Sequence, residues 1–183
     1  MATATVNTKT KWVIDNAHSE IGFRVKHLMI SNVRGAFKEY SANVVSENDD
    51  FSNAKVEATI NPASVDTHDS GRDGHLAGAD FFDVEKFKEI KFTSTNVKKV
   101  DDNNYKISGD LTIKGVTKPV ELNAEFGGIV KDPWGNAKAA FNVTGKINRK
   151  NWGLNWNAAL ETGGVLVSDD VWINADVQLK KEA

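Results

Sequence analysis

Apolar and polar residues alternate along most of the chain, with the period of two that half-buried β-strands show. The first long example is the stretch EIGFRVKHLM at 20–29. Its apolar row consists of Ile21, Phe23, Val25, His27 and Met29. Helical spacing is confined to one segment, so the pattern predicts an all-β protein.

The alternating stretches make about eight strands, a number typical of a closed up-and-down barrel. They lie around 12–14, 20–29, 40–45, 55–60, 89–97, 105–115, 120–130, 139–149 and 171–180. Short connections between the later strands favour hairpins between neighbours, and closure removes the edge strands of a long antiparallel sheet. We therefore expect an antiparallel up-and-down β-barrel. A sandwich of two sheets has the same alternation and is the alternative.

One long segment, Ser64–Phe87, interrupts the alternating strands. Ser70 and Asp73 have the spacing of a capping box, which predicts the start of a short helix. Asp80 and Asp83 repeat that spacing and predict a second helix. The aspartates of the segment are thereby explained as cap residues or as charges near helix N-termini, without a metal ion.

The apolar residues of this insertion need a surface to cover. They are Leu76, Phe81, Phe82, Val84 and Phe87. The mouth of the barrel is the available partner. The same residues suit two structures, a plug that completes the core and a lid over an apolar cavity.

Composition narrows the classes of function. Lys and Arg number 23 and Asp and Glu 25, so the formal net charge of -2 provides no electrostatic footprint for nucleic acid or an anionic membrane. The basic pairs Lys98–Lys99, Arg149–Lys150 and Lys180–Lys181 are expected to be solvated at strand ends. Cysteine is absent, which excludes thiol catalysis, Cys-ligated zinc and disulfides. The N-terminus lacks the apolar core of a secretory signal, so a cytoplasmic location is expected.

The four histidines form no recognisable metal site or catalytic motif. His68 and His75 have Arg72 between them and are seven residues apart, whereas metal-binding helices place histidines at i and i+4. His27 lies on an apolar face, where a hydrogen-bonded core or rim residue is the commoner role. We expect no catalysis, no cofactor and no metal. The alternative is an enzyme that uses His27 or His75 as acid or base on a small apolar substrate.

Several inward positions have little or no side chain. These positions are Gly109, Ala124, Gly145 and Ala175. If the hairpin through KGVTKP closes by the shortest route, Gly109 pairs with Ala124 and Leu111 with Leu122. A band of small residues inside a barrel of this size favours a ligand cavity, although small residues also relieve crowding.

Four segments follow one another along the chain: WVIDNAHSEIGFRVKHL, SVDTHDSGRDGHLAGADFFDVEKF, GDLTIKGVTKPVEL and NRKNWGLNWNAALETGGVLVSDDVWI. Together they resemble the YceI-like family of lipid-binding barrels, and the likeness runs from Trp12 to Leu179. The resemblance implies a lipocalin-like antiparallel barrel with a short helical lid. It also implies that the lumen holds a long apolar molecule, such as a polyisoprenoid, with no established catalysis.

We therefore expect a flexible N-terminal segment at 1–10 and one barrel domain at 11–181. The expected function is non-catalytic binding and carriage or sequestration of a long-chain lipid, with no nucleic-acid partner and no integral membrane segment. The sequence is also compatible with a homodimer. The residues expected to line the ligand are Phe23, Val25, His27, Ile60, Leu76, Phe81, Phe82, Phe92, Gly109, Leu111, Ile113, Leu122, Ala124, Phe126, Phe141 and Val143.

Overall fold

The computed structural model describes Val6 and residues 8–183, and this part of the chain is mostly β-strand. Its strands are β1 (Lys9–Ile14), β2 (Glu20–His27), β3 (Ser31–Phe37), β4 (Tyr40–Glu47), β5 (Asp50–Ile60), β6 (Val65–Asp66), β7 (Ile90–Lys99), β8 (Asn104–Ile113), β9 (Val116–Lys131), β10 (Ala137–Asn148) and β11 (Asp170–Lys181). The described residues contain one α-helix, α1 (Ser70–Ala77). Short 3₁₀ turns occur at Asn16–His18, Pro62–Ser64 and Arg149–Trp152.

Eight of these strands form a closed ring, in the order β1, β4, β5, β7, β8, β9, β10 and β11, and pairing between β1 and β11 closes it. β2, β3 and β6 lengthen the wall of the barrel in line with β1, β4 and β5. β2 pairs with both β11 and β3, and β3 pairs with β6. All of these pairings are antiparallel. The predicted closed antiparallel barrel is confirmed.

The sequence pattern missed β3. Its inward row is Val33, Gly35 and Phe37, which leaves only two apolar side chains to mark a strand. The predicted domain start at residue 11 also falls inside β1, which begins at Lys9. Residues 1–5 and 7 lie outside the described part, so a flexible segment there stays a prediction.

The two ends of the barrel differ in their connections. One end carries the β2–β3 turn, residues 61–89, the β8–β9 turn and residues 149–169, and we call it the insertion end. The opposite end carries the short turns β4–β5, β7–β8 and β9–β10. Both long connections therefore lie at the insertion end.

The core forms two clusters of buried side chains, one toward each end. Toward the opposite end, Trp12 is completely buried and its indole Nε1 donates to the Ser46 hydroxyl at 2.9 Å. Toward the insertion end, Phe81 and Trp152 belong to the second cluster. Phe92 packs against both clusters, so its ring connects the two halves of the interior.

The helix of the insertion starts one residue earlier than its predicted cap. Asp69, and not Ser70, is the N-cap, and its carboxylate accepts from the Arg72 N–H at 2.9 Å. Asp73 does not close a capping box, because it accepts instead from the Thr67 N–H at 2.8 Å and the Thr67 hydroxyl at 2.6 Å. Thr67 thus anchors the helix to the preceding strand, a contact that local spacing does not reveal.

The predicted second helix is wrong. Residues 79–86 form consecutive turns rather than a helix. Asp83 has a φ of 49°, in the left-handed region, and such a residue interrupts a right-handed helix. Phe82 and Asp83 instead donate their N–H groups back to Leu76 and Gly78 at 2.9 Å each, which folds the segment against the end of α1.

The β8–β9 hairpin is tighter than predicted. Its turn has only two residues, Lys114 and Gly115, with φ values of 51° and 74°. Gly109 consequently lies opposite Val120 and not opposite Ala124, and the other predicted pair of this hairpin fails for the same reason. Glycine adopts positive φ without a steric penalty, which allows this short turn.

A mostly buried ion pair spans the seam where the barrel closes. Lys138 Nζ on β10 donates to Asp15 Oδ2 at 2.6 Å, and the Asp15 N–H donates to the carbonyl of Gln178 on β11 at 2.8 Å. The hydrogen bond from Lys138 lowers the pKa of Asp15, and burial opposes that shift. Because only three residue pairs join β1 to β11, this contact reinforces a short interface.

Asp15→Asn should lower the free energy of unfolding by about 1 kcal/mol at neutral pH, because the variant keeps the shape but loses the charge-assisted bond. A carboxylate whose pKa is lower in the folded state stabilises the fold above its ordinary pKa of 3.8 and loses that contribution as the pH falls through the folded-state pKa. Urea unfolding of wild type and variant should therefore converge at acid pH. Asp49→Asn is the matched control, because Asp49 forms an exposed pair with Lys181. A difference that persists at acid pH would contradict this account.

Candidate ligand-binding site

The lumen of the barrel has one closely packed wall and one more open wall. On β7 and β8 the inward apolar side chains are buried apart from Phe92, as in Ile90, Val97, Tyr105 and Ile107. On β2, β9, β10 and β11 most of the large inward side chains are only half-buried. These half-buried residues are Ile21, Phe23, Val25, Val120, Leu122, Phe126, Phe141, Val143, Ile147, Val171, Ile173 and Val177.

The partial exposure of the open wall indicates accessible space inside the barrel. Strand alternation points these side chains away from the outer solvent, so a packed interior would bury them as completely as those on β8. Ile173, Val171 and Val25 belong to neither packed cluster and to none of the side chains packed against one. The open wall is therefore least packed along β2 and the first half of β11.

Two glycines, Gly109 and Gly35, lie on inward rows of the barrel. The rings of neighbouring phenylalanines occupy the space beside them, so neither glycine leaves a cavity. A Cβ on Gly109 would lie 2.5 Å from the Phe92 ring and 2.6 Å from the Thr93 carbonyl oxygen. A Cβ on Gly35 would lie 2.5 Å from the Phe23 ring. Glycine at these positions allows an aromatic ring to lie against the sheet. At Gly109, the small residue therefore corresponds to close packing and not to the predicted cavity.

The structure divides the predicted ligand-lining residues between the two ends. Leu122, Ala124, Phe126, Phe141 and Val143 lie in or against the cluster toward the opposite end. Phe23, Ile60, Leu76, Phe81, Phe82, Leu111 and Ile113 lie in or against the cluster toward the insertion end, and Phe92 contacts both. Val25, His27 and Gly109 belong to neither cluster.

The insertion covers its end of the barrel with two adjacent aromatic side chains that differ in burial. Phe81 is buried, and its ring lies 5.6 Å from that of Trp156. Phe82 is half-buried, and its ring meets Phe37 edge-on at 5.8 Å. Lys114 Nζ donates to the Ala79 carbonyl at 2.9 Å, which ties the insertion to the β8–β9 turn. Phe81 thus belongs to the packed core, whereas Phe82 retains exposed surface.

Arg149 holds the second long connection, and sequence reasoning missed it. The side chain was expected to be solvated, but it is 3% exposed. Its Nε donates to the Ser168 carbonyl at 2.9 Å, and its Nη1 donates to the carbonyls of Leu154 and Trp156 at 2.6 and 2.8 Å. Burial lowers the pKa of Arg149, and the charge of Asp169 opposes that shift. One guanidinium therefore fixes both ends of residues 154–168.

The two long connections meet at His75. Its ring packs edge-on against Phe81 at 5.1 Å and Trp156 at 4.7 Å, and its Nε2 lies 3.0 Å from Asp80 Oδ2. His68, by contrast, lies outside α1 with a φ of 64°, so the two histidines do not share a helical face. His27 lies on the inward row of β2, and within the described chain its side chain has no hydrogen-bond partner.

The polar groups of the interior are already satisfied. Within the described residues, every buried side-chain nitrogen or oxygen has a hydrogen-bond partner. The same residues contain no group of three or more His, Cys, Asp or Glu side chains placed to hold a metal ion. In the described part of the chain no helix is long and apolar enough to cross a bilayer. The lumen therefore presents apolar surface and no unpaired buried side-chain polar group.

These features describe a small antiparallel β-barrel with an apolar lumen and a helical insertion that covers one end. The family model described as YceI-like domain matches residues 12–179. The chain therefore belongs to the YceI-like family.

Known relatives and structures agree with this assignment. The UPF0312 protein SAS2572 of Staphylococcus aureus is 42% identical over 170 residues, which cover 92% of this chain and 96% of that protein. The crystal structure of the Campylobacter jejuni YCEI protein is 36% identical with a TM-score of 0.74, and the match covers 100% of both chains. A polyisoprenoid binding domain from Saccharophagus degradans, at 14% identity, has the same fold with a TM-score of 0.62 over 93% of this chain and 98% of that one.

Proposed function

We propose that the lumen binds one long-chain apolar lipid, such as a polyisoprenoid, and carries or sequesters it without chemical change. The observation that supports this most directly is the half-buried apolar wall of β2, β9, β10 and β11. A ligand lying along that wall would bury apolar surface at about 25 cal/mol per Å². The fold shared with a domain named for polyisoprenoid binding adds support from comparison.

The enzymatic alternative has weaker support. His75 does have a carboxylate neighbour in Asp80, but both side chains are open to solvent at the surface, which weakens the pair. His27, which lies on the lumen row, lacks the partnered base or nucleophile that acid–base catalysis needs within the described chain. Binding needs only the shape and the apolar lining that the barrel has.

Ile173→Trp should weaken lipid binding with little change in stability. Ile173 faces the lumen from the open wall and lies outside both packed clusters, so added bulk would occupy ligand space before it strains the core. Affinity for a polyprenol should fall at least about tenfold, which is about 1.4 kcal/mol. Native mass spectrometry and tryptophan fluorescence titration measure the effect, and thermal melting checks the fold.

The matched control is Lys180→Trp, which introduces the same side chain at an exposed position on the outward row of β11. This control should bind lipid as the wild type does. Equal binding by a folded Ile173→Trp variant would rule out the lumen as the site. If the protein retains no lipid and converts a small molecule during incubation, the enzymatic alternative is favoured.

A further inference from the structure

The β2–β3 hairpin combines an apolar tip with an unusual distribution of charge. Between Glu20 and Glu39 the chain has four basic residues, Arg24, Lys26, Arg34 and Lys38, and no Asp or Glu. The net charge of -2 for the whole chain conceals this local excess. Lys38 is paired with Asp66 at 2.8 Å, whereas Lys26 and Arg34 have no ion-pair partner within the described chain.

The tip of this hairpin is apolar and exposed. Met29 is 52% exposed and Ile30 is 86% exposed, although the alternation predicted Met29 on the inward row. Leu28 and Met29 both have left-handed φ values, 54° and 59°, which disfavour large side chains. Asn and Gly adopt this conformation readily, so the residues present reduce the stability of the turn. Strain together with exposed apolar surface at one site suggests a role other than folding.

The tip is held beside the second long connection at the insertion end. The Leu28 N–H donates to the Leu166 carbonyl at 2.8 Å, and His27 forms a β-bridge with Val167. Val165, which precedes these residues, is also exposed. Glu161 is the only acidic residue between Arg149 and Asp169. The apolar tip is therefore fixed beside the second long connection, whose residues 150–168 carry one acidic residue.

We propose that the β2–β3 hairpin docks the insertion end of the barrel onto an anionic lipid bilayer. Met29 and Ile30 would enter the interfacial region, and Lys26 and Arg34 on the outer face of the hairpin would contact anionic headgroups. Apolar residues flanked by basic ones are the combination that binds such surfaces. The opposite end also exposes apolar side chains, Val130 and Trp134, but their turn contains Asp132, whereas the β2–β3 hairpin has no acidic residue between Glu20 and Glu39. Docking rests on the proposed function, since a lipid cargo held in a membrane would enter at the docked end.

Vesicle flotation tests the docking. The wild-type protein should float with vesicles of mixed phosphatidylglycerol and phosphatidylcholine, and not with pure phosphatidylcholine. Met29→Asn/Ile30→Ser should reduce the bound fraction at least about tenfold, and folding should survive because Asn tolerates the left-handed turn. Lys26→Glu/Arg34→Glu should abolish binding, and the wild-type signal should fall as salt rises.

Two control variants carry matched changes at the opposite end. Val130→Ser/Trp134→Ser removes exposed apolar side chains, and Lys98→Glu/Lys99→Glu reverses two exposed charges. Both should float as the wild type does. Failure of the wild-type protein to float, or equal loss in tip and control variants, would refute docking and would leave a protein partner as the occupant of this surface.

Lipid binding without vesicles separates docking from the proposed function. Farnesol delivered from aqueous solution should bind the tip variant with wild-type affinity, because the tip lies outside the lumen. If the tip variant loses farnesol binding together with flotation, the tip lines the ligand site and docking as a separate role is wrong. If the wild type floats but binds no isoprenol, docking stands and the proposed function fails.

Discussion

Replacing Arg149 with alanine should lower the free energy of unfolding by about 3–5 kcal/mol, comparable to breaking a buried charged interaction. The substitution would remove the donors for the carbonyls of Leu154, Trp156 and Ser168. Unpaired buried carbonyls cost about 1–3 kcal/mol each when no water replaces the donor. Residues 154–168 should therefore detach from the end of the barrel.

Urea unfolding gives the stability change, and hydrogen exchange shows whether residues 154–168 lose protection. Arg149→Lys should recover only part of the loss, because a single ammonium cannot reach both ends of the connection as a planar guanidinium does. Lys150→Ala is the matched control, since Lys150 pairs with Asp169 at 3.2 Å on the surface and should matter little. A small effect of Arg149→Ala would mean that the connection is held by its other contacts.

Phe81→Ala should mainly lower stability and Phe82→Ala should mainly lower lipid affinity, although the two residues are adjacent. Phe81 is buried among the rings of His75 and Trp156, so its loss should lower stability by about 3–5 kcal/mol with or without ligand. Phe82 is only half-buried, so its truncation should change stability less. If a lipid chain covers the rest of its ring, affinity should fall by about 1.5–3 kcal/mol, or tenfold and more.

Thermal melting without ligand and polyprenol affinity, measured on both single variants, separate lid from plug. A Phe82→Ala protein that melts near the wild-type temperature and binds weakly supports a lid. Phe87→Ala is a matched aromatic control from the same segment, because its ring lies over Gly115 at the β8–β9 turn. The lid interpretation is refuted if Phe82→Ala melts as low as Phe81→Ala and its folded fraction binds normally.

The architecture was predictable because strand alternation is a local signal. Most of the strands, from β1 to β11, appear as alternating rows, and the antiparallel closed barrel follows from their number and short connections. The sequence pattern failed where a single hydrogen bond or a short turn decides between two adjacent cap residues or between two strand registers. Asp69 and Ser70 are both good caps, and the choice between them depends on Thr67 taking the Asp73 carboxylate. The turn at Lys114–Gly115 likewise shifted a register that spacing alone left open.

The candidate site was predictable as a set of apolar residues but not as a geometry. Sequence alone determined that the interior is apolar, that it lacks thiols, and that one insertion carries several phenylalanines, because these are properties of residue type and spacing. Tertiary structure decided that Phe92 fills the place beside Gly109, that Arg149 is buried, and that Ile173 lies outside both packed clusters. The physical reason is that each of these outcomes depends on distances between strands or connections that are remote in sequence, and closure of the barrel sets those distances.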